Sequence, residues 1–379
     1  PEHVETLILY GNINQTLKQN DKAKQAYTKA IEIAPDKEER VYLLLGSILM
    51  DEGDLDSAFD IYQGLVDIFP ASFAGYFFLG KIHVEKGRPD AAEIAFKKAL
   101  ALEPELEEGR FELLNIYKTS GENAKARTLY LELLDKNPKH SRAAMELGLF
   151  YQKNGFVEEG EDLLKDLGLR SRQDPEIIRK VIQLYIDPEQ YDDAIIVLEG
   201  MLKGMPDSSD LHYLAGVSSD GKGDDDKAMA YFKKVTPDNR FYENAVVHIS
   251  ILYQEQQKIT EAIDYIKTAI ENAPNNPEFM LYLGSFYEEI NAYDDAEIAL
   301  KKGLDIDPKH IRIQFRLGVV YDKWGKKSEA ITYMQKVIAL DPENANALNY
   351  LGYTYADMGT NLDEAESLIR KALKYKPDD

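Results

Sequence analysis

Apolar and polar positions recur along the chain in paired segments of about three helical turns each. Within a segment, apolar residues lie three and four positions apart, which is the spacing of one face of an α-helix. A short polar break, often with a glycine, separates the two segments of a pair, as in DEGD, EKGR, TSGE, QKNG and DKWG. This pattern predicts an all-α fold of successive helical hairpins.

A column of small residues gives the hairpins their period, which is 34 residues at eight steps and 35 at two. Every member is Ala or Gly: Ala23, Ala58, Ala92, Ala126, Gly160, Ala194, Ala228, Ala262, Ala296, Ala330 and Ala365. A second column, 12 residues earlier and 13 in the last hairpin, is Gly in eight of eleven cases: Gly11, Gly46, Gly80, Leu114, Gly148, Ile182, Gly216, Ser250, Gly284, Gly318 and Gly352. Small residues let two helices approach closely, so the columns predict eleven close-packed hairpins.

Aromatic residues and prolines are also in phase with these columns. Tyr or Phe follows the small residue by four positions at Tyr27, Tyr62, Phe96, Tyr130 and Phe232. Proline closes most hairpins, at Pro35, Pro70, Pro104, Pro138, Pro206, Pro274, Pro308, Pro342 and Pro377. Proline cannot continue a helix, so it predicts the turn into the next hairpin. The acidic pairs that open many second helices suit a helix N-terminus better than a catalytic dyad.

The columns resemble the tetratricopeptide repeat (TPR) family, and the third hairpin matches its pattern with Gly80, Gly87, Ala92, Phe96, Ala99 and Pro104. The resemblance covers residues from Val4 to Pro377. It implies a right-handed superhelical solenoid of about eleven helix-turn-helix repeats, forming a single array over residues 1–379. The repeats start near residues 4, 39, 73, 107, 141, 175, 209, 243, 277, 311 and 345.

Repeats five to seven depart from the pattern. Repeat five has a late proline, repeat six lacks the Gly of its column and repeat seven has an early proline; the residues are Pro175, Ile182 and Pro237. We therefore predict a shortened or bent second helix near 165–175 and a bend of the superhelix near 160–190. The alternative is drift in a tolerant repeat. Protease cleavage confined to 168–175 would support the bend.

Composition narrows the classes of partner. The chain has 45 Lys and Arg residues against 67 Asp and Glu residues, a net charge of −22, which disfavours nucleic acid and anionic lipid surfaces. It has no cysteine, which excludes disulfides and thiolate chemistry. No apolar run approaches the roughly 20 residues that span a membrane, so we expect no direct membrane insertion by this fragment. Because the chain opens PEHVET, we expect a targeting segment to be missing from it.

Catalytic motifs are absent from the sequence. It contains no HExxH, P-loop, GxSxG or GxGxxG pattern. The acidic stretch DGKGDDDKA lacks the spacing of a calcium-binding loop. We predict no catalytic residue, no metal site and no cofactor.

The TPR resemblance implies that the first helix of each repeat lines a concave groove. Aromatic, Arg and Met side chains on such a surface are typical of recognition hot spots. The cations and amides of repeats three to six suit an extended peptide or a terminal carboxylate. The predicted partner-binding residues are Phe77, Lys81, Phe111, Asn115, Lys118, Met145, Gln152, Arg179, Gln183, Tyr213, Arg312, Phe315, Asn349 and Tyr353.

The carboxylate clamp of chaperone-binding TPR domains is not assembled here. Arg312 and Arg316 fit one part of it, but Val247 and Ile251 stand where its Lys and Asn belong. The missing clamp weighs against a cytosolic chaperone partner.

Several functions stay open at this point. The first is a non-enzymatic scaffold or adaptor that binds partner proteins. Residues 346–379 and 231–263 resemble segments of bacterial TPR lipoproteins, which implies a narrower role: tethering a periplasmic carboxyl-terminal processing protease and its substrates. The expected location is then the bacterial periplasm rather than the cytoplasm, with the lipid anchor outside this fragment. The alternatives are a structural component of an envelope export or pilus machine, and a cytosolic chaperone partner. We also predict self-association through uncapped ends, which deletion of repeat eleven would test.

Overall fold

A computed structural model describes residues 3–376, which form 22 α-helices and one π-helical turn and contain no strand. Repeats one to four are α1 (Val4–Thr16), α2 (Asn20–Ile33), α3 (Glu39–Asp51), α4 (Leu55–Ile68), α5 (Phe73–Glu85), α6 (Pro89–Leu102), α7 (Glu107–Thr119) and α8 (Asn123–Lys136). Repeats five to seven are α9 (Ser141–Lys153), α10 (Val157–Ser171), α11 (Pro175–Val181), a π-helical turn (Ile182–Ile186), α12 (Tyr191–Gly204), α13 (Ser209–Gly221) and α14 (Asp225–Phe232). Repeats eight to eleven are α15 (Tyr242–Glu255), α16 (Ile259–Asn272), α17 (Pro277–Glu289), α18 (Tyr293–Ile306), α19 (Ile311–Lys323), α20 (Lys327–Leu340), α21 (Ala345–Asp357) and α22 (Leu362–Tyr375).

The helices belong to two compact units, one up to Leu147 and the other from Gly148. We call them the N-terminal unit and the C-terminal unit. Within each unit, consecutive helices pack as antiparallel pairs, which confirms the predicted all-α solenoid of hairpins. The single array over 1–379 stays a prediction, and Pro377 lies outside the described residues.

Contacts between glycine and a large side chain close the hairpins. A β-carbon added at Gly80 would lie 2.6 Å from the Phe96 ring, and one at Gly46 would lie 2.4 Å from Tyr62. Both rings are completely buried. The small residue on the first helix therefore makes room for the large side chain of the second, as the two columns predicted.

The turn between the two helices of a repeat needs a left-handed residue. Gly provides it in repeats two to five, seven, ten and eleven, at Gly53, Gly87, Gly121, Gly155, Gly223, Gly325 and Gly359. Other residues take positive φ at the same place in repeats one, six, eight and nine, at Lys18, Glu189, Gln257 and Asn291. The Gly-containing breaks of the sequence thus have a conformational cause.

The second helix of repeat five is not shortened near 165–175, which corrects that part of the prediction. α10 runs unbroken for 15 residues to Ser171. Gly168 resembles a helix breaker in the sequence, but a β-carbon there would lie 2.0 Å from the carbonyl oxygen of Met201. Likewise, a β-carbon added at Gly204 would lie 2.2 Å from the carbonyl oxygen of Lys165. These glycines let α10 and α12 pack backbone to backbone.

The irregular elements lie further along the chain. The Asp187 N–H donates to the Ile182 carbonyl at 2.9 Å, which is the five-residue spacing of a π-helix. The short second helix is α14, with eight residues. The segment after α14 is tied to the start of α13: Thr236 bonds Ser209 at 3.0 Å, and Asn239 donates to Asp210 at 2.7 Å. The bend near 160–190 stays a prediction.

Candidate protein-binding pocket

Polar side chains connect the first helices of neighbouring repeats at a spacing of 28 residues. In the C-terminal unit, Arg316 donates to Glu288 at 3.0 Å and the Tyr350 hydroxyl donates to Asp322 at 2.6 Å. In the N-terminal unit, Lys118 pairs with Glu146 at 3.4 Å, with the charges reversed. The face shared by successive first helices therefore carries specific polar contacts within each unit.

One pocket in the C-terminal unit lies on this face, and we call it the first-helix pocket. Its volume is about 440 Å³, and four first helices, α15, α17, α19 and α21, or the residues at their ends, contribute to it. Its lining combines aromatic, amide and charged side chains: Gln254, Leu281, Tyr282, Ser285, Phe286, Glu288, Glu289, Ile311, Arg312, Phe315, Arg316, Lys323, Asn344 and Asn346.

Glu288 is the buried charge of the pocket, with its side chain only 5% exposed. One carboxylate oxygen accepts from Arg316 at 3.0 Å, and the other lies 2.7 Å from the Lys323 ammonium. A carboxylate buried without partners would be strongly unfavourable. The two cations are much more exposed than the acid, so they cover it and face the pocket.

The remaining charges of the pocket are also paired. Arg312 donates to Glu278 at 2.8 Å, and Glu289 accepts from Gln254 at 2.6 Å. The lining therefore has three cations against two carboxylates. With Glu278, which pairs with Arg312 from outside the lining, the local charges balance, in contrast to the chain's net charge of −22.

Aromatic side chains form the apolar part of the pocket. Phe315 is half-buried and meets the Tyr350 ring edge-on at 6.1 Å. Burial, and then the hydrogen bond to Asp322, raises the pKa of Tyr350, so its phenol stays protonated and holds α21 against α19. Tyr282 of α17 lies on the other side of the pocket and is also half-buried.

The structure places two of the predicted partner-binding residues, Arg312 and Phe315, in this pocket. Asn349 and Tyr353 are exposed on α21, Tyr353 at 68%, outside its lining. Tyr213 is half-buried and stacks on Phe241 at 4.4 Å.

Three predicted residues of repeats five and six lie elsewhere in the C-terminal unit. Gln152 is half-buried and donates to the Val157 carbonyl at 3.1 Å. Arg179 is exposed and pairs with Glu176 at 2.9 Å, while Gln183 is exposed within the π-helical turn.

In the N-terminal unit, Phe77 is half-buried, with its ring 5.7 Å from that of Phe96. Lys81 is half-buried and has no ion-pair partner within residues 3–376. Asn115 is exposed, as is Lys118 beside Glu146.

Phe111 and Met145 are not on an exposed face, which corrects the prediction for these two residues. Met145 is completely buried, and Phe111 lies beneath the Arg142 guanidinium, 3.6 Å from the ring centre. Large apolar side chains gain free energy when a neighbouring helix covers them. Hot-spot residue types are also core residue types, so residue type and helical spacing could not separate the two cases. Partner contact by the other twelve residues stays a prediction.

Sequence reasoning missed most of the pocket lining, including Tyr282, Glu288 and Lys323. Arg316 was considered only as part of the clamp. A usable signal was present, because Glu288 and Arg316 carry opposite charges 28 residues apart, as do Lys118 and Glu146. Pairing charges across repeats, rather than within one repeat, would have identified the buried acid.

Residues 3–376 contain neither a metal-binding group of side chains nor a helix that could span a membrane. No group of His, Cys, Asp and Glu side chains there is arranged to hold a metal ion. Within the same residues, no helix combines the length and the apolar character that crossing a membrane requires.

Comparison with known families gives matches to tetratricopeptide repeat models. They match residues 4–37 and 311–344, residues 49–110 and 253–317, residues 111–169, and residues 333–367. Together the matches extend over more than half of the chain. Residues 170–252, which contain the π-helical turn and the short α14, lie outside them. A search of curated proteins found no match.

Several solved structures are similar to parts or all of the chain. A crystal structure of MamA is 26% identical with a TM-score of 0.38, and the match covers 43% of this chain and 94% of that one. The Cut9–Hcn1 hetero-tetramer of the APC/C is 16% identical with a TM-score of 0.40, covering 100% and 88%. YrrB, described as a TPR protein with an unusual peptide-binding site, is 19% identical with a TM-score of 0.37, covering 48% and 93%.

The family assignment rests on the repeat models and on the hairpins themselves. The matched segments coincide with helix pairs that bury the predicted small and aromatic columns. This fold is a non-catalytic scaffold for protein–protein interaction. The chain belongs to the tetratricopeptide repeat family.

Proposed function

We propose that the C-terminal unit binds an extended segment of a partner protein in the first-helix pocket. The segment carries a carboxylate, from an acidic side chain or a chain end, next to an apolar or aromatic residue. The observation that supports this proposal is the composition of the pocket, in which three cations from repeat ten and aromatic rings from repeats nine and ten converge in a strongly acidic chain. Arg and aromatic residues dominate binding energy at protein interfaces.

An extended ligand suits a pocket built from several repeats. The rise along an extended chain is about 3.3 Å per residue, so a short segment reaches side chains from successive helices. Such a segment presents backbone N–H and C=O groups, which an amide side chain can bond in both directions. Asn346 is exposed at the start of α21 and can make these bonds.

The charge pattern favours a carboxylate over a cation. Arg316 and Lys323 together share the one carboxylate of Glu288, and both are partly exposed. A ligand carboxylate near them completes the charge balance and displaces little protein–protein bonding. A ligand cation would compete with them for Glu288.

The narrower proposal concerns the identity of the partner. The chain acts as an adaptor in the bacterial periplasm that brings a carboxyl-terminal processing protease to its substrates. This proposal rests on the resemblance of residues 346–379 and 231–263 to bacterial TPR lipoproteins. The processed substrate of such a protease ends in a carboxylate, which is the group that the pocket favours.

Affinity capture from a lysate fractionated by compartment, read by mass spectrometry, tests both levels. The pocket variant is Arg312→Glu with Phe315→Ala. Arg240→Glu is a matched control, because Arg240 is likewise exposed and donates to a carboxylate near the start of a first helix, Asp210 on α13, at 2.8 Å. Arg240 lies outside the pocket.

We expect the pocket variant to lose partner proteins that the wild type captures, and Arg240→Glu to retain them. A periplasmic protease among the lost partners supports the adaptor role. Export or pilus components among them favour the structural alternative, and chaperones favour the cytosolic one. Retention of all partners by the pocket variant would move binding away from this pocket.

A further inference from the structure

We propose that the N-terminal unit has a second docking surface, on α5 and α6, for an acidic amphipathic helix of another protein. This surface is separate from the first-helix pocket and does not depend on the function proposed for that pocket. It is an open groove lined by Tyr76, Leu79, His83, Ala91, Ile94, Ala95, Lys97, Lys98 and Ala101.

The groove is apolar at positions where the fold does not require apolar residues. Ala91 precedes the small-residue column of repeat three, and the other ten repeats have a charged residue or Ser at that place. Ile94 is 71% exposed although it lies in the groove. Folding of the other repeats shows that these apolar side chains are not needed for the hairpin, and an exposed apolar groove of this kind is typical of a binding site.

Repeat nine offers an internal comparison. Its second helix has nearly the same sequence, AEIALKKGL against AEIAFKKAL, and it also exposes an isoleucine, Ile298, at 55%. There, however, the places of Ala91 and Ala101 are taken by Asp295 and Asp305. The same helix thus has an apolar outer face in repeat three and a charged one in repeat nine.

The charges around the groove indicate the sign of the partner. Lys97 pairs with Glu93 at 2.7 Å. Lys98 lies 5.8 Å above the Tyr76 ring and has no carboxylate partner within residues 3–376. Burial, and then nearby Arg88 and Lys86, lowers the pKa of His83, so this imidazole is uncharged at pH 7. An incoming carboxylate therefore meets an unpaired ammonium beside an apolar floor.

The shape of the groove fits a helix. From Ala91 to Ala101 it follows α6 for about 15 Å, or nearly three turns. Small side chains along it allow a ridge of a second helix to pack closely, as in helix-in-groove recognition. The other possible occupant is a second copy of this chain, which sedimentation of the wild type distinguishes.

The probe is a displayed library of 15-residue amphipathic helices, with Asp, Glu, Lys or Arg placed at random beside the apolar face. Helices are selected for binding to the full chain. Acidic helices are expected to be enriched. Ile94→Asp should weaken them about tenfold or more, whereas the matched Ile298→Asp should change affinity less than about twofold. Lys98→Glu should weaken acidic helices and favour basic ones, with Lys302→Glu as its control.

Enrichment of basic helices would overturn the proposal. So would a selection in which every enriched helix binds Ile94→Asp as tightly as the wild type. So would sedimentation showing a wild-type dimer that Ile94→Asp converts to a monomer, because the occupant is then a second copy. Thermal unfolding checks that Ile94→Asp is folded. If it is not, Lys98→Glu carries the test, since Lys98 is exposed.

Discussion

Repeats three and four of the N-terminal unit and repeats nine and ten of the C-terminal unit are built with the same internal bonds. In the first pair, Glu93 accepts from Lys97 at 2.7 Å and from the Tyr117 hydroxyl at 2.9 Å. In the second pair, Glu297 accepts from Lys301 and from the Tyr321 hydroxyl, the latter at 2.7 Å. Each network joins the second helix of one repeat to the first helix of the next.

The two regions differ on the face that successive first helices share. Glu288, Arg316 and Lys323 form the charged centre of the pocket in repeats nine and ten. The equivalent residues of repeats three and four are Val84, Glu112 and Thr119, which cannot form it. The comparison teaches that the residues repeated in phase build the hairpin, while those that change between equivalent places shape the first-helix pocket.

The largest expected effect tests whether the hairpins are equivalent. Gly80→Ala and Gly284→Ala should each cost about 1–3 kcal/mol of unfolding free energy, because the new methyl overlaps Phe96 or Leu300. Urea unfolding followed by circular dichroism measures this. Gly64→Ala is the control, since its nearest neighbour would lie 3.8 Å away, and it should stabilise α4 by about 0.5–1 kcal/mol. A loss in only one of the two repeats would break the equivalence.

The next effect concerns the residues that differ. Glu288→Gln should cost about 1–2 kcal/mol, because Arg316 and Lys323 lose the carboxylate between them but remain partly hydrated. The exposed neighbour Glu289→Gln should change stability by less than about 0.5 kcal/mol. Thermal melting of the two variants side by side gives the difference, and equal melting temperatures would contradict the role assigned to Glu288.

A smaller effect separates the turns of repeats three and nine. Both turns need positive φ, and repeat three has Gly87 where repeat nine has Asn291. Gly87→Ala should cost about 1 kcal/mol through backbone strain alone, since its β-carbon would touch nothing. Asn291→Gly should change stability by about 0.5 kcal/mol or less, because Asn tolerates this conformation well and loses only an exposed hydrogen bond from the Tyr293 hydroxyl, at 2.7 Å. Denaturation midpoints measure both, and an Asn291→Gly variant that loses as much stability as Gly87→Ala would contradict the backbone origin of the difference.

The smallest effect is a dependence on pH that both regions should share. The hydrogen bond from Lys97 lowers the pKa of Glu93, and that from Lys301 lowers the pKa of Glu297. Each carboxylate therefore adds stability above the ordinary Glu pKa of about 4.5, and this stability is lost as pH falls through the lowered value. Glu93→Gln and Glu297→Gln should be less stable than wild type at pH 7 and equal to it near pH 3. A constant difference across that range, measured by urea unfolding, would exclude this origin.

Periodicity predicted the fold well because each hairpin repeats the same local problem. The contact between Gly80 and Phe96, and the small residue Ala92 on the second helix, have equivalents at the same places in other repeats. The packing of one repeat therefore explains the others. The glycines that broke the pattern were harder to interpret. Gly168 serves a close approach to Met201 in a different helix, which periodicity along one helix cannot show.

The pocket was only partly predictable for a related reason. Arg312 and Phe315 follow from helical spacing within one repeat. The environment of Glu288 depends on residues 28 and 35 positions away, and the burial of Phe111 depends on Arg142. These are contacts between repeats, and a single-helix pattern contains no information about them.

The short α14 has a consequence for how the C-terminal unit unfolds. In a linear array, folding passes between repeats through nearest-neighbour interfaces, and the array divides where the coupling is weakest. After Phe232, two helical turns are replaced by a loop that relies on a few polar bonds to Ser209 and Asp210. We therefore expect repeat seven to set the boundary between two cooperative units, with residues 233–241 exchanging their amide protons before the helices on either side.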